Sequence, residues 1–201
     1  MLQCDRIITM KAQKLIKLIL KWGIFATGAV LAIIYFIPGT GFHKIWSYLA
    51  TMALPFAMDI LRIFGIKISD RFEIAYLAFV IPAMVLGIDF DIYKVILPFD
   101  KIVHSASGVL AAFGAREIID QASGKPDEMW FKALFAVSFV ALTAALWECF
   151  EFSCDQLLGQ SMQELIAPGT GLQDTMWDII VALLGGMVGT ILAFPTKRNR
   201  K

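Results

Sequence analysis

Long apolar runs separated by short polar segments organise this chain of 201 residues. A helix needs about 20 mostly apolar residues to cross the hydrocarbon core of a bilayer. Six segments meet or approach that length: 18–37, 44–61, 72–88, 102–119, 131–152 and 175–194. Pro55 interrupts the second, Asp59 lies near its end, and polar residues also break the ends of the fourth. The pattern predicts an all-α polytopic transmembrane bundle of about six spans, forming a single integral membrane domain over residues 1–201.

Charge tests that count. With six spans both termini share one side, which then carries fifteen of the 18 basic residues and leaves Lys44, Lys94 and Lys101 on the other. Cytoplasmic loops carry the Lys/Arg excess, so both termini are expected in the cytoplasm. Lys11, Lys14, Lys17 and Lys21 precede the first run, which reads as a retained signal anchor because Pro38-Gly39-Thr40-Gly41 offers no small-x-small cleavage site. Ser123-Gly124-Lys125-Pro126 and Pro168-Gly169-Thr170-Gly171 are turn signals between later spans.

Composition agrees with a membrane protein: 58% of residues are hydrophobic, 17% are charged, and mean hydropathy is +0.70. The net charge of +1 gives no argument for nucleic acid, so the expected partner is the lipid bilayer. Cys4, Cys149 and Cys154 form no zinc pattern, and the last two point apart on one helix, so free thiols are expected. In the sixth span Gly185 and Gly189 have small-xxx-small spacing, and His104, Gly108, Ala111 and Ala115 line a stripe of the fourth. Such stripes pack helices closely in lipid, within a chain or between copies, so an oligomer through Gly185 and Gly189 is one expectation.

Against this apolar background one set of polar residues stands out. Asp100 and His104 share a face at the start of the fourth span. Glu148, Glu151 and Asp155 share a face at the end of the fifth, with Glu148 about 10 Å deeper than Asp155. Asp174 and Asp178 are one turn apart at the start of the sixth. The six-span topology brings all seven to the outer side, with Lys94 and Lys101 as the nearby basic residues. His104, Glu148, Glu151 and Asp178 form the expected inner shell and the candidate ligands of a divalent metal; Asp100, Asp155 and Asp174 form an outer ring.

Such a group cannot be fully ionised in a low-dielectric medium without compensation. The carboxyls share protons, hold a cation, or line a wet cavity. Asp100 and Asp174 also suit helix N-termini, where an acid complements the dipole. Glu148 and Glu151 lie in a C-terminal half, where it does not. Trp147 and Trp177 read as interface anchors. Asp59 with Arg62, and Arg116 with Glu117, read as cytoplasmic interface pairs.

The string Asp100-Lys101-x-x-His104-x-x-x-Gly108, then Arg116-Glu117, Trp147-Glu148-x-x-Glu151 and Asp174-Thr175-x-x-Asp178, resembles the YjdF-like family of bacterial inner-membrane proteins. The likeness runs roughly from Tyr93 to Gly189; the first three spans match in hydropathy more than in motif. More distantly, the D-K-x-x-H start resembles VanZ-like membrane proteins, whose Glu-x-x-Gln stands here as Glu148-x-x-Glu151. The resemblance implies a multi-pass helical protein of the bacterial cytoplasmic membrane with polar signatures in its late spans. It implies no particular reaction.

Three functions compete at this level. One is binding of a cation or a lipid head group by the outward-facing cluster. Another is an outer-leaflet enzyme acting on a lipid-linked substrate, in which carboxylates and histidine run acid–base or metal chemistry. The third is a small proton-coupled transporter using the acids and histidine as a relay.

Overall fold

The structure, a computed structural model, describes residues 2–36, 44–122, 127–159, 161–163 and 169–195. The turns expected at Pro38–Gly41 and Ser123–Pro126, together with Pro168, lie outside the described residues. The chain is all-α, with no strand among the described residues. It divides into two compact units, Met1–Val95 and Ile96–Lys201. Five helical segments are long and apolar enough to cross a membrane: Thr9–Tyr35, Asp70–Asp89, Pro98–Ile119, Met129–Leu158 and Gly171–Ala193.

The first unit begins with α1 (Leu2–Tyr35), whose 34 residues make a rod of about 51 Å. The second apolar segment is helical but broken. Helix α2 (Ile45–Ala53) runs into a 3₁₀ turn at Leu54–Phe56 before α3 (Ala57–Ile63) resumes. Pro55 is the cause, since it lacks an N–H and its ring clashes with the preceding turn. The Tyr76 hydroxyl donates to the Leu54 carbonyl at this break, 3.0 Å away. Phe56 packs edge-to-face on Trp22 and Phe25 of α1.

Helix α4 (Asp70–Val80) starts at Ser69, whose hydroxyl caps the Phe72 N–H. It continues as a π-helix over Ile81–Asp89, with Pro82, which cannot donate to the α-ladder, in its first turn. A short α5 (Ile92–Val95) follows, and Tyr93 lies against Gly87, where a Cβ would stand 2.4 Å from the ring.

One end of this unit is tied by charge. Glu73 is fully buried and meets Lys17 at 3.1 Å, Lys21 at 3.1 Å and Arg62. Asp70 and Asp59 complete the network through Lys17 and Lys21, each at 2.6 Å, and Arg62 also binds Asp59 at 3.0 Å, one turn away. At the other end Lys44 pairs with Asp91, the one non-glycine residue with positive φ (59°) among those described. Burial works to raise the Asp91 carboxyl, but Lys44 and Lys94 outweigh it and hold the group below the ordinary aspartate range.

The second unit is three packed helices, α6 (Leu97–Ile119), α7 (Met129–Leu158) and α8 (Gly171–Ala193). Small residues set their spacing. A Cβ on Gly108 of α6 would stand 1.9 Å from the Ala182 carbonyl oxygen, and one on Gly185 of α8 would stand 2.0 Å from that of Ser105. A Cβ on Gly189 would meet the Val109 backbone at 2.8 Å, and one on Gly186 the Val140 side chain of α7 at 2.6 Å. Gly185 and Gly189 thus both lie against α6 of the same chain. Leu142, Leu146, Leu184, Val188 and Ile191 face outward, as lipid-facing residues should. Arg116 pairs with Asp120, one turn on at 3.6 Å. Cys149 and Cys154 are free.

Candidate functional site

Each helix of the second unit carries a buried stripe that turns polar at the same end. On α7 the stripe Ala136, Val140 and Ala144 continues as Glu148 and Glu151. On α8 Ala193, Gly189, Gly185 and Ala182 lead to Asp178 and Asp174. On α6 Ile119, Ala115 and Ala112 lead through Gly108 to His104 and Asp100. The i, i+3/i+4 period that buries the small residues thus also buries the acids, which face the interior of the three-helix unit.

Lys101 sits at the centre of one part of the cluster. Its ammonium donates to Asp174 Oδ1 at 2.5 Å, Asp178 Oδ1 at 2.8 Å and Asp100 Oδ2 at 2.9 Å. An ammonium has three N–H donors, and each is used. The sequence pattern places Lys101 near the acids, although adjacent residues on a helix, such as Asp100 and Lys101, do not ordinarily face each other. The usable signal is a lone basic residue beside an excess of acids, on a stem long enough to reach back.

His104 lies beside this group. Its Nε2 is 3.4 Å from Asp100 Oδ1 and 3.7 Å from Asp178 Oδ1. One ligand atom from each of Asp100, His104 and Asp178 lies within 4.8 Å of the others, a spacing that a single metal ion can bridge.

Glu148 has a different environment. It is 5% exposed, and neither carboxylate oxygen has a hydrogen-bond partner among the described residues. It lies within electrostatic reach of His104, Asp100 and Asp174. The Thr175 hydroxyl is near enough to interact but closes no hydrogen bond with it; that oxygen accepts from Gln163 Nε2 at 2.9 Å.

The other two acids are engaged locally. Glu151 Oε1 accepts from the Trp147 indole N–H at 2.7 Å, so Trp147 is more than an interface anchor. Asp155 accepts the backbone N–H groups of Met162 and Gln163 at 2.7 and 3.0 Å, tying down the chain beyond α7.

Residues 19–199 match the family described as "Predicted membrane protein (DUF2238)". The chain belongs to that family. No curated protein and no solved structure matches it. Membership agrees with a protein carrying several apolar helices in a lipid bilayer, and with the YjdF-like signature read from the sequence.

Five buried carboxyls, from Asp100, Glu148, Glu151, Asp174 and Asp178, therefore face one lysine and one histidine. Lys101 neutralises part of that charge. The remainder requires protons or a further cation.

Proposed function

We propose that the α6–α8 unit binds a divalent metal cation through Asp100, His104 and Asp178, with the neighbouring Glu148 turning in as a further carboxylate. In this reading the site lies at the outer face of a bacterial cytoplasmic membrane, opposite the Lys/Arg-rich ends. The observation that carries it is the spacing of Asp100, His104 and Asp178, beside Glu148, whose two buried oxygens close no hydrogen bond among the described residues. A proton on Glu148 would remove the charge and leave the Thr175 hydroxyl as the neighbouring group for its O–H. A cation satisfies both oxygens together.

The donor set supports a metal over an ammonium head group. Carboxylate oxygens suit either ligand, but the His104 nitrogen beside them is a donor for a transition metal such as Mn²⁺ or Zn²⁺. Asp100 stands where Glu151 was the sequence-based expectation, since Glu151 Oε1 is held by Trp147.

The test is the metal content of the detergent-purified full chain after loading with Mn²⁺ or Zn²⁺ and dialysis. The expectation is one equivalent in the wild type, lost in Glu148→Gln and in Asp178→Asn while helicity is kept. A wild type without stoichiometric metal, or variants that retain it, would rule the reading out.

A further inference from the structure

We infer that Asp100, Asp174 and Asp178 form an ammonium seat filled by the chain's own Lys101, and that this seat and the metal site compete for Asp100 and Asp178. The inference rests on the metal reading of the same site and adds to it a built-in cationic competitor.

The geometry sets up the competition. Lys101 bonds all three aspartates, at 2.5–2.9 Å. Two of them, Asp100 and Asp178, also supply ligand atoms beside His104. Asp178 Oδ1 is shared outright: it accepts from Lys101 at 2.8 Å and faces His104 Nε2 at 3.7 Å. A metal ion drawn to that oxygen would lie beside the ammonium, and like charges a few ångströms apart in a poorly solvated site repel strongly.

Lys101 is the partner that can yield. Its side chain is 27% exposed, whereas those of Asp100, Asp174 and Asp178 are 7, 3 and 3% exposed. Its stem already reaches the surface, and the acids are fixed on packed helices. Asp174 belongs to the seat and not to the ligand set, so it offers the displaced ammonium a place to stay. Binding of the metal therefore moves Lys101 off Asp100 and Asp178 toward Asp174 and solvent. In the metal-free protein the same lysine keeps the aspartates from repelling one another.

Titration calorimetry of Mn²⁺ and of Zn²⁺ into the full chain in detergent tests this, comparing wild type with Lys101→Gln and Lys101→Arg. The expected result is at least tenfold tighter binding by Lys101→Gln, with Lys101→Arg no tighter than wild type. Binding by Lys101→Gln alone, with none by wild type, would overturn the metal reading of the native chain and the inference with it. Metal binding by wild type that is unchanged or weaker in Lys101→Gln would overturn the competition and leave the metal reading standing. No binding by any form would overturn both. Because Lys101→Gln removes a structural ammonium and can fail to fold, a second measurement uses wild type alone. Acylation of Lys101 by an N-hydroxysuccinimide ester, followed by mass spectrometry, should be at least threefold faster with saturating Mn²⁺. An unchanged or slower rate would overturn the inference.

Discussion

Lys101 and Asp174, 73 residues apart in sequence, meet at 2.5 Å and join the polar ends of α6 and α8. The contact lies above the glycine-lined seam where those helices touch backbone to backbone. Asp174→Asn removes the charge but keeps the shape. The expected cost is about 1.5–3 kcal/mol, the range for a hydrogen bond to a charged group. Thermal unfolding of the metal-free chain in detergent would measure it; an unchanged melting temperature would mean that Asp100 and Asp178 suffice to hold Lys101.

The helix seam makes a sharper steric prediction. At Gly108 an added methyl would lie 1.9 Å from a backbone oxygen, which has no flexible end to move aside. Gly108→Ala should therefore cost about 1–3 kcal/mol, as overpacked interiors do. Gly23→Ala on α1 is the control, since nothing lies within 4 Å of the added carbon. It should be neutral or stabilise by up to about 1 kcal/mol, because glycine is a poor helix residue. Equal effects at the two positions would contradict the packing described.

Glu73 is the anchor of the first unit. It is fully buried and faces Lys17, Lys21 and Arg62. Glu73→Ala leaves three cations with one buried partner removed, and should destabilise by about 3–5 kcal/mol. Asp70→Ala, at a more exposed end of the same network, should cost far less, at most about 1 kcal/mol. Unfolding of both variants in detergent would reveal the order; the reverse order would refute the anchoring role.

Asp91 links pH to stability. Its carboxyl is held below the ordinary range, so its contribution is present above the unfolded aspartate value and is lost as pH falls through the lower folded value. The stability gap between wild type and Asp91→Asn should be full near neutrality and close in acid, below the unfolded value of about 3.9. Asn tolerates the positive φ of 59° at this position, so the comparison isolates the charge. Asp91→Ala should lose more than Asp91→Asn at every pH. A gap that widens on acidification would contradict the pairing with Lys44 and Lys94.

Much of the site is legible in the sequence because one period governs packing and polarity alike. On α7, Ala136, Val140, Ala144, Glu148 and Glu151 follow a single stripe, so the spacing alone puts the acids inward. The same holds for Asp174 and Asp178 on α8. What periodicity cannot carry is side-chain reach. Lys101 turns back to Asp100 and across to α8, against the rule that adjacent residues diverge. Asp155, expected in the outer ring, accepts from the backbone N–H groups of Met162 and Gln163, which spacing alone does not foretell. Prolines blur the span count: Pro55 divides the second apolar segment with a 3₁₀ turn, and the third runs on from Ile81 as a π-helix with Pro82 in its first turn. Hydropathy registers neither change of helix type, nor the division of the chain after Val95.

A metal bound between α6, α7 and α8 would be seen in anomalous diffraction from crystals of the full chain grown with Mn²⁺. One strong anomalous peak is expected within about 2.0–2.6 Å of carboxylate oxygens of Asp100 and Asp178 and of His104 Nε2. The absence of any peak there, with Glu148 still unpartnered or bonded only to water, would contradict metal binding at this site.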